Sequence, residues 1–159
     1  MAIRRPGGLI EEALTHSVIG AFFAVHRTLG FGFVEQVYAP ALELELRERG
    51  HRVAREMSVV VRYAGVEIAH QRLDMVVDDK LVVEIKATEK LHKDAARQLY
   101  NYLRATNLEV GLLLHFGREA HFYRVLCDNA LKLRRTHSGT GKNKAVPPSN
   151  PSDPFDPHS

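Results

Sequence analysis

Two acidic residues and a lysine stand at spacings that suit cation chemistry. Asp74 lies in Leu73-Asp74-Met75-Val76-Val77, and Glu84 and Lys86 lie in Leu81-Val82-Val83-Glu84-Ile85-Lys86. Asp78-Asp79-Lys80 separates the two apolar runs, which therefore read as the arms of a β-hairpin. Side chains alternate faces along a strand, so Glu84 and Lys86 point one way while Val83 and Ile85 point the other. Pairing centred on Asp79 sets position 74 directly across from position 84, with both carboxylates near enough to hold one cation. A two-residue loop would slip the register by one and send them to opposite faces, so the reading requires an odd-length loop. Bare carboxylates in so apolar a setting repel each other and lose hydration. A hard ion such as Mg²⁺ relieves both, because it takes oxygen ligands and keeps several waters. A lysine beside it can orient or deprotonate an attacking water, or stabilise charge developing on a phosphate. The solvated face of an ordinary antiparallel sheet would carry the same three residues, and the hairpin by itself favours that plainer reading.

Further polar residues sit where the flanking elements begin or turn. Glu35 stands in Gly32-Phe33-Val34-Glu35-Gln36-Val37-Tyr38, at the start of a helix, where the helix dipole favours any first-turn glutamate. Gln98 and Tyr102 are four apart and share a helix face, an arrangement that also suits simple packing of Tyr102 with Gln98 at its edge. Tyr38 falls at a core position. His26, near the end of the first helix, is read as a cap or a bond to a neighbouring loop.

The elements that must carry these residues follow from apolar periodicity. Residues 9–29 and 34–49 read as amphipathic helices, the first stopped by Gly30 and Gly32 and the second by Gly50. Residues 53–61 and 66–69 read as strands about an Ala64-Gly65 turn, followed by strands 73–77 and 81–85. Helical spacing returns over 91–105. The almost wholly apolar run 110–116 suits a strand covered on both faces, and 121–126 alternates like its antiparallel neighbour. A short helix near 129–133 closes the domain, expected to span residues 1–135. Residues 136–159, rich in Ser, Gly, Asn and Pro, read as a disordered tail. The order predicts an α/β domain with a mixed central sheet flanked by helices.

Composition bounds the rest. The chain of 159 residues, 45% hydrophobic and 26% charged, suits one globular domain. A single cysteine excludes an internal disulfide and fits a reducing compartment. Acidic residues Glu11 and Glu12 break up any signal-peptide apolar region, and the run 18–25 is far shorter than the roughly 20 residues that span a bilayer. A cytoplasmic protein is expected, with no membrane association. The net charge of +3 accommodates a polyanionic partner without requiring one.

From about Leu14 to Leu126 the chain resembles the bacterial GxxExxY family of the PD-(D/E)XK nuclease superfamily. The match runs through Val25-His26-Arg27, Gly30 to Gly32, Glu35, Tyr38, Arg72-Leu73-Asp74, Val83-Glu84-Ile85-Lys86, Gln98, Tyr102-Leu103 and Gly111 to Gly117, with Gly32, Glu35 and Tyr38 forming the naming motif. The resemblance implies a restriction-endonuclease-like core. It implies that Asp74, Glu84, the Ile85 carbonyl and Glu35 hold Mg²⁺ or Mn²⁺, and that Lys86 acts beside them. Gln98 and Tyr102 match the superfamily's QxxxY motif and would orient the site or contact the strand. Leu73 stands where the motif's proline would be, and His115 where an asparagine is expected. The activity implied is metal-dependent phosphodiester hydrolysis, on DNA as the nucleic-acid partner. The rival reading is a non-catalytic nucleic-acid- or protein-binding module on the same fold. The small size of the domain suits a homo-oligomer or an accessory protein.

Overall fold

The computed structural model describes residues 4–5, 8–9, 11–129 and 132. The tail 136–159 and most of the expected helix 129–133 lie outside them. A two-stranded hairpin of β1 (Arg4–Arg5) and β2 (Gly8–Leu9) precedes helix α1 (Glu12–Leu29), so Leu9 belongs to a strand and not, as its spacing suggested, to the helix. Helix α2 (Glu35–Glu48) follows. Then come β3 (Val53–Tyr63), β4 (Val66–Val77), β5 (Leu81–Lys86), helix α3 (Ala95–Arg104), β6 (Val110–Phe116) and β7 (Ala120–Leu126). The five long strands form one sheet in the order β3-β4-β5-β6-β7, in which only β5 and β6 run parallel. The mixed sheet expected from the sequence is therefore present.

Two apolar layers cover the sheet. Val18, Phe22 and Val25 of α1 and Tyr38, Leu42 and Leu46 of α2 bury against Met75, Val77, Leu81, Val83 and Ile85. Leu99 and Leu103 of α3 bury against Val76, Val82 and Leu113 on the opposite face. The alternation Val82/Val83 thus sorts β5 residues between layers, with Glu84 following Val82 to the α3 side. Gly111 allows α3 to approach β6, since a β-carbon there would meet Leu99 Cδ1 at 2.9 Å.

The sequence suggested two strands between residues 66 and 77; the structure has one. Residues 70–72 are polar and exposed, which breaks the apolar pattern, yet their backbone pairs with β3 without interruption. β5 pairs with β4 only over Met75–Val77, so the rest of the β3–β4 hairpin extends past the sheet as a two-stranded arm. Tyr63, Val66 and Ile68 lie exposed near its tip. Among the described residues no helix is long and apolar enough to cross a membrane.

Candidate metal centre

The β4–β5 register is centred on Asp79, with Met75 opposite Val83 and Val77 opposite Leu81. Asp78 and Asp79 both take positive φ, 52° and 56°, and the Lys80 N–H closes the turn on the Val77 carbonyl at 3.0 Å. The loop is odd-length, as the sequence reading required. His51 and the Arg52 N–H hold the turn by bonding the Asp78 carboxylate at 2.7 and 2.8 Å.

The regular ladder stops one pair short of Asp74 and Glu84, and there the strands fork. Their side chains take over the bonding: the Asp74 N–H donates to Glu84 Oε1 at 3.2 Å, and the Ile85 N–H donates to Asp74 Oδ2 at 2.8 Å. Both strands of the arm also change face at this level. Val53 and Val77 belong to the core beneath α1 and α2, whereas Val59 and Leu73 belong to the core beneath α3. Strict alternation would keep Val53 and Val59 on one face of β3, and Leu73 and Val77 on one face of β4. The switch is made at Glu56, whose φ of 55° is left-handed and which lies between the flanking pairs Arg55–Met75 and Met57–Leu73. Asp74 therefore meets Glu84 where two strands part, and simple two-residue periodicity does not describe the site.

Glu84 is 6% exposed. Burial first, and then the Asp74 charge, push its carboxyl up to about 8, while the Lys86 ammonium opposes the shift. The Tyr102 hydroxyl is pushed up as well, by burial and then by the charges of Glu84 and Asp74, which places the tyrosine within their field. Asp74 and Ile85 line a small hollow of about 130 Å³ with Glu35, Gln36, Arg55 and Glu56. Glu35 also lines a larger cleft of about 1100 Å³ with Lys86 and Gln98. Glu35 thus belongs to both, at the first turn of α2, and its side chain makes no hydrogen bond with any described residue. Gln98 is exposed on the cleft wall, one turn of α3 from half-buried Tyr102.

The Tyr38 ring stacks on Phe116, and its hydroxyl accepts the Phe33 N–H and donates to the Gly30 carbonyl. Positive φ at Gly30 and Gly32, 72° and 113°, lets five residues reverse the chain between α1 and α2. Tyr38 is therefore more than a core residue, because it ties down the connector that presents Glu35. His26 has the structural role expected of it, with Nε2 2.8 Å from the Gly117 carbonyl. His115 is buried and reaches the Thr88 carbonyl at 2.7 Å, fastening the loop after β5 to the end of β6.

The structure also brings in two residues that sequence reasoning missed, Arg55 and Glu56. Nothing in their spacing marks them, since both sit in what reads as a plain strand. The Arg55 guanidinium reaches Glu43 at 3.3 Å through one terminal nitrogen, while its buried Nε has no hydrogen-bond partner among the described residues. No group of three acidic, histidine or cysteine side chains is closed into a ligand set among the described residues. What is present is a pair of carboxyls, Glu84 buried and Asp74 on the wall of a hollow that Glu35 and Glu56 also line. That donor set fits a hard divalent cation.

Three comparisons bear on kinship. No curated protein matches the sequence. A solved structure titled "Crystal structure of SSO0001" is similar at 20% identity and a TM-score of 0.48, the match covering 80% of this chain and 65% of that one. The chain therefore spans about two thirds of that protein's length. The sequence model of the PD-(D/E)XK nuclease superfamily matches residues 12–125, which include Glu35, the Asp74–Glu84 fork, Lys86, Gln98 and Tyr102. The match covers well over half of the chain, which thus belongs to the PD-(D/E)XK nuclease superfamily.

Proposed function

We propose that the chain is a metal-dependent nuclease of GxxExxY type that hydrolyses phosphodiester bonds in DNA. The observation that carries this reading is the Asp74–Glu84 contact. Two carboxyls bond each other's strands where β4 and β5 fork, one of them buried, near a lysine that lines an open cleft. A sheet built only for stability gains nothing from desolvating that pair.

Asp74, Glu84, the Ile85 carbonyl and Glu35 are the residues that would hold Mg²⁺ or Mn²⁺. An ion bound there supplies Lewis acidity toward a phosphate oxygen and makes a bound water more acidic. Lys86, on the cleft wall, orients the attacking water or supports charge on the phosphate. Gln98 on the same wall positions the strand, and Tyr102, which lies within the field of the carboxyl pair, orients the site. Water adds to phosphorus, and the departing ester oxygen takes up a proton.

The test combines binding and chemistry in the same samples. Mg²⁺ or Mn²⁺ is expected to raise the melting temperature by binding the native state, and Asp74→Asn is expected to abolish the response. Labelled single-stranded DNA, duplex DNA and RNA are then scored for cleavage. A metal response without cleavage of any substrate would replace this reading with that of a binding module. No metal response at all would remove the site.

A further inference from the structure

We infer that a single-stranded segment of the nucleic acid runs along both flanks of α3, held by Lys90, Lys93 and Arg97 on one side and by Arg62 and Arg104 on the other. This rests on the nuclease reading for its substrate class and adds the path and the strand state.

The large cleft beside Lys86 is bounded by the loop after β5 and the first turns of α3. A second cleft of about 740 Å³ lies between α3 and the β3–β4 arm. Gln98 and Asn101 line both, so the two join across the helix into one track. The first holds Lys86, Lys90, Lys93 and Arg97 against only Glu35 and Asp94. Lys90, Lys93 and Arg97 are exposed and make no ion pair with any described residue. In the second, Arg104 is equally unpaired, while Arg62 is held by Glu67 at 2.8 Å. Clusters of unpaired cations within a cleft fit a polyanion, whose phosphates release counterions on binding.

The lining also decides the strand state. Apolar and aromatic surface interleaves with the cations: Leu91 in the first cleft, and Val60, Val61 and Tyr102 in the second. A single strand uses both kinds of surface, setting phosphates on the cations and base faces on the apolar side chains. A duplex stacks its bases inward and presents phosphates and groove edges, which leaves that apolar lining without a partner. The clefts are also concave and close in size to pockets that enclose small organic ligands, roughly 300–1,000 Å³. That is room for a few nucleotides and not for a turn of duplex. Glu35 and Lys86 line the first cleft, so the track passes the proposed chemistry.

The experiment is fluorescence anisotropy with the full chain in EDTA, using a labelled oligothymidylate and a blunt duplex of equal length across a salt series. The single strand should bind at least about tenfold more tightly than the duplex at moderate salt. The combined variant Lys90→Ala, Lys93→Ala, Arg97→Ala should reduce the slope of log K against log salt by about 2, and Arg104→Ala by about 0.7. Both should keep the wild-type melting temperature and its Mg²⁺ response. Equal or tighter duplex binding, an unchanged salt slope in the combined variant, or no binding of either probe would overturn the inference. Cleavage that persists alongside any of these leaves the nuclease reading standing. Conversely, a strand that binds by this track but is never cut sinks the proposed activity and leaves the track in place.

Discussion

The buried carboxyl of Glu84 makes metal-free stability depend on pH with an unusual sign. In the unfolded chain Glu84 releases its proton near its ordinary 4.5, whereas in the fold burial and Asp74 delay release to about 8. Between those values the native state binds more protons than the unfolded state, so stability falls as pH rises. The stabilising contribution is fully present below about 4.5 and is lost by the time pH passes 8. The shift corresponds to about 5 kcal/mol at most, and water entry reduces it to of order 2–4 kcal/mol. Asp78 does not interfere. Burial raises its carboxyl, but the Arg52 N–H and His51 outweigh that and hold it below 3.8, so its stabilising contribution is lost only as pH falls below about 4.

Glu84→Gln keeps an oxygen to accept the Asp74 N–H but cannot ionise. In EDTA, urea unfolding of the wild type should show stability declining from pH 5.5 to 8.5, and the variant should remove most of that decline. At pH 8.5 the variant should be the more stable protein, by roughly 5–10 °C in melting temperature. Metal should stabilise the wild type more strongly at pH 8.5 than at pH 6, because a liganding carboxylate must first lose its proton. A wild-type profile that is flat or rising across this window would refute the burial argument for Glu84.

Two further substitutions test the scaffold. Gly111→Ala drives a β-carbon to within 2.9 Å of Leu99 Cδ1 in a filled core and should cost about 1–3 kcal/mol in urea unfolding. Tyr38→Phe removes the hydroxyl that bridges Phe33 and Gly30, and should cost about 1–2 kcal/mol while speeding amide exchange in the connector before Glu35. An unchanged exchange rate there would mean that Tyr38 serves the core alone.

The legibility of the molecule in its sequence follows the range over which each signal acts. The β4–β5 turn was readable because Asp78-Asp79-Lys80 interrupts two apolar runs, and register follows from loop length. The run 110–116 was readable because its neighbours cover both faces, so every residue is apolar or small but His115. The face switch at Glu56 was not readable. It depends on one left-handed residue in a long strand, and no composition marks it. The continuity of β4 through Gln71 and Arg72 was hidden for the opposite reason, since an arm with two solvated faces needs no alternation. Lys90, Lys93 and Arg97 were present in the sequence as ordinary surface charge. Only the fold gathers them along one cleft with Lys86.

The central claim is chemistry at the Asp74–Glu84 fork, and single-turnover cleavage by Lys86→Ala tests it most directly. Lys86 is half-buried at the C-terminal end of the central strand β5, so its removal should change stability by no more than about 1 kcal/mol and leave the metal-induced rise in melting temperature intact. With saturating Mn²⁺ and excess protein over labelled single-stranded DNA, the wild type should cut the strand, and the variant should do so at least about a hundredfold more slowly. Cleavage by Lys86→Ala at the wild-type rate would contradict the account, because the hydrolysis would then arise somewhere other than this site.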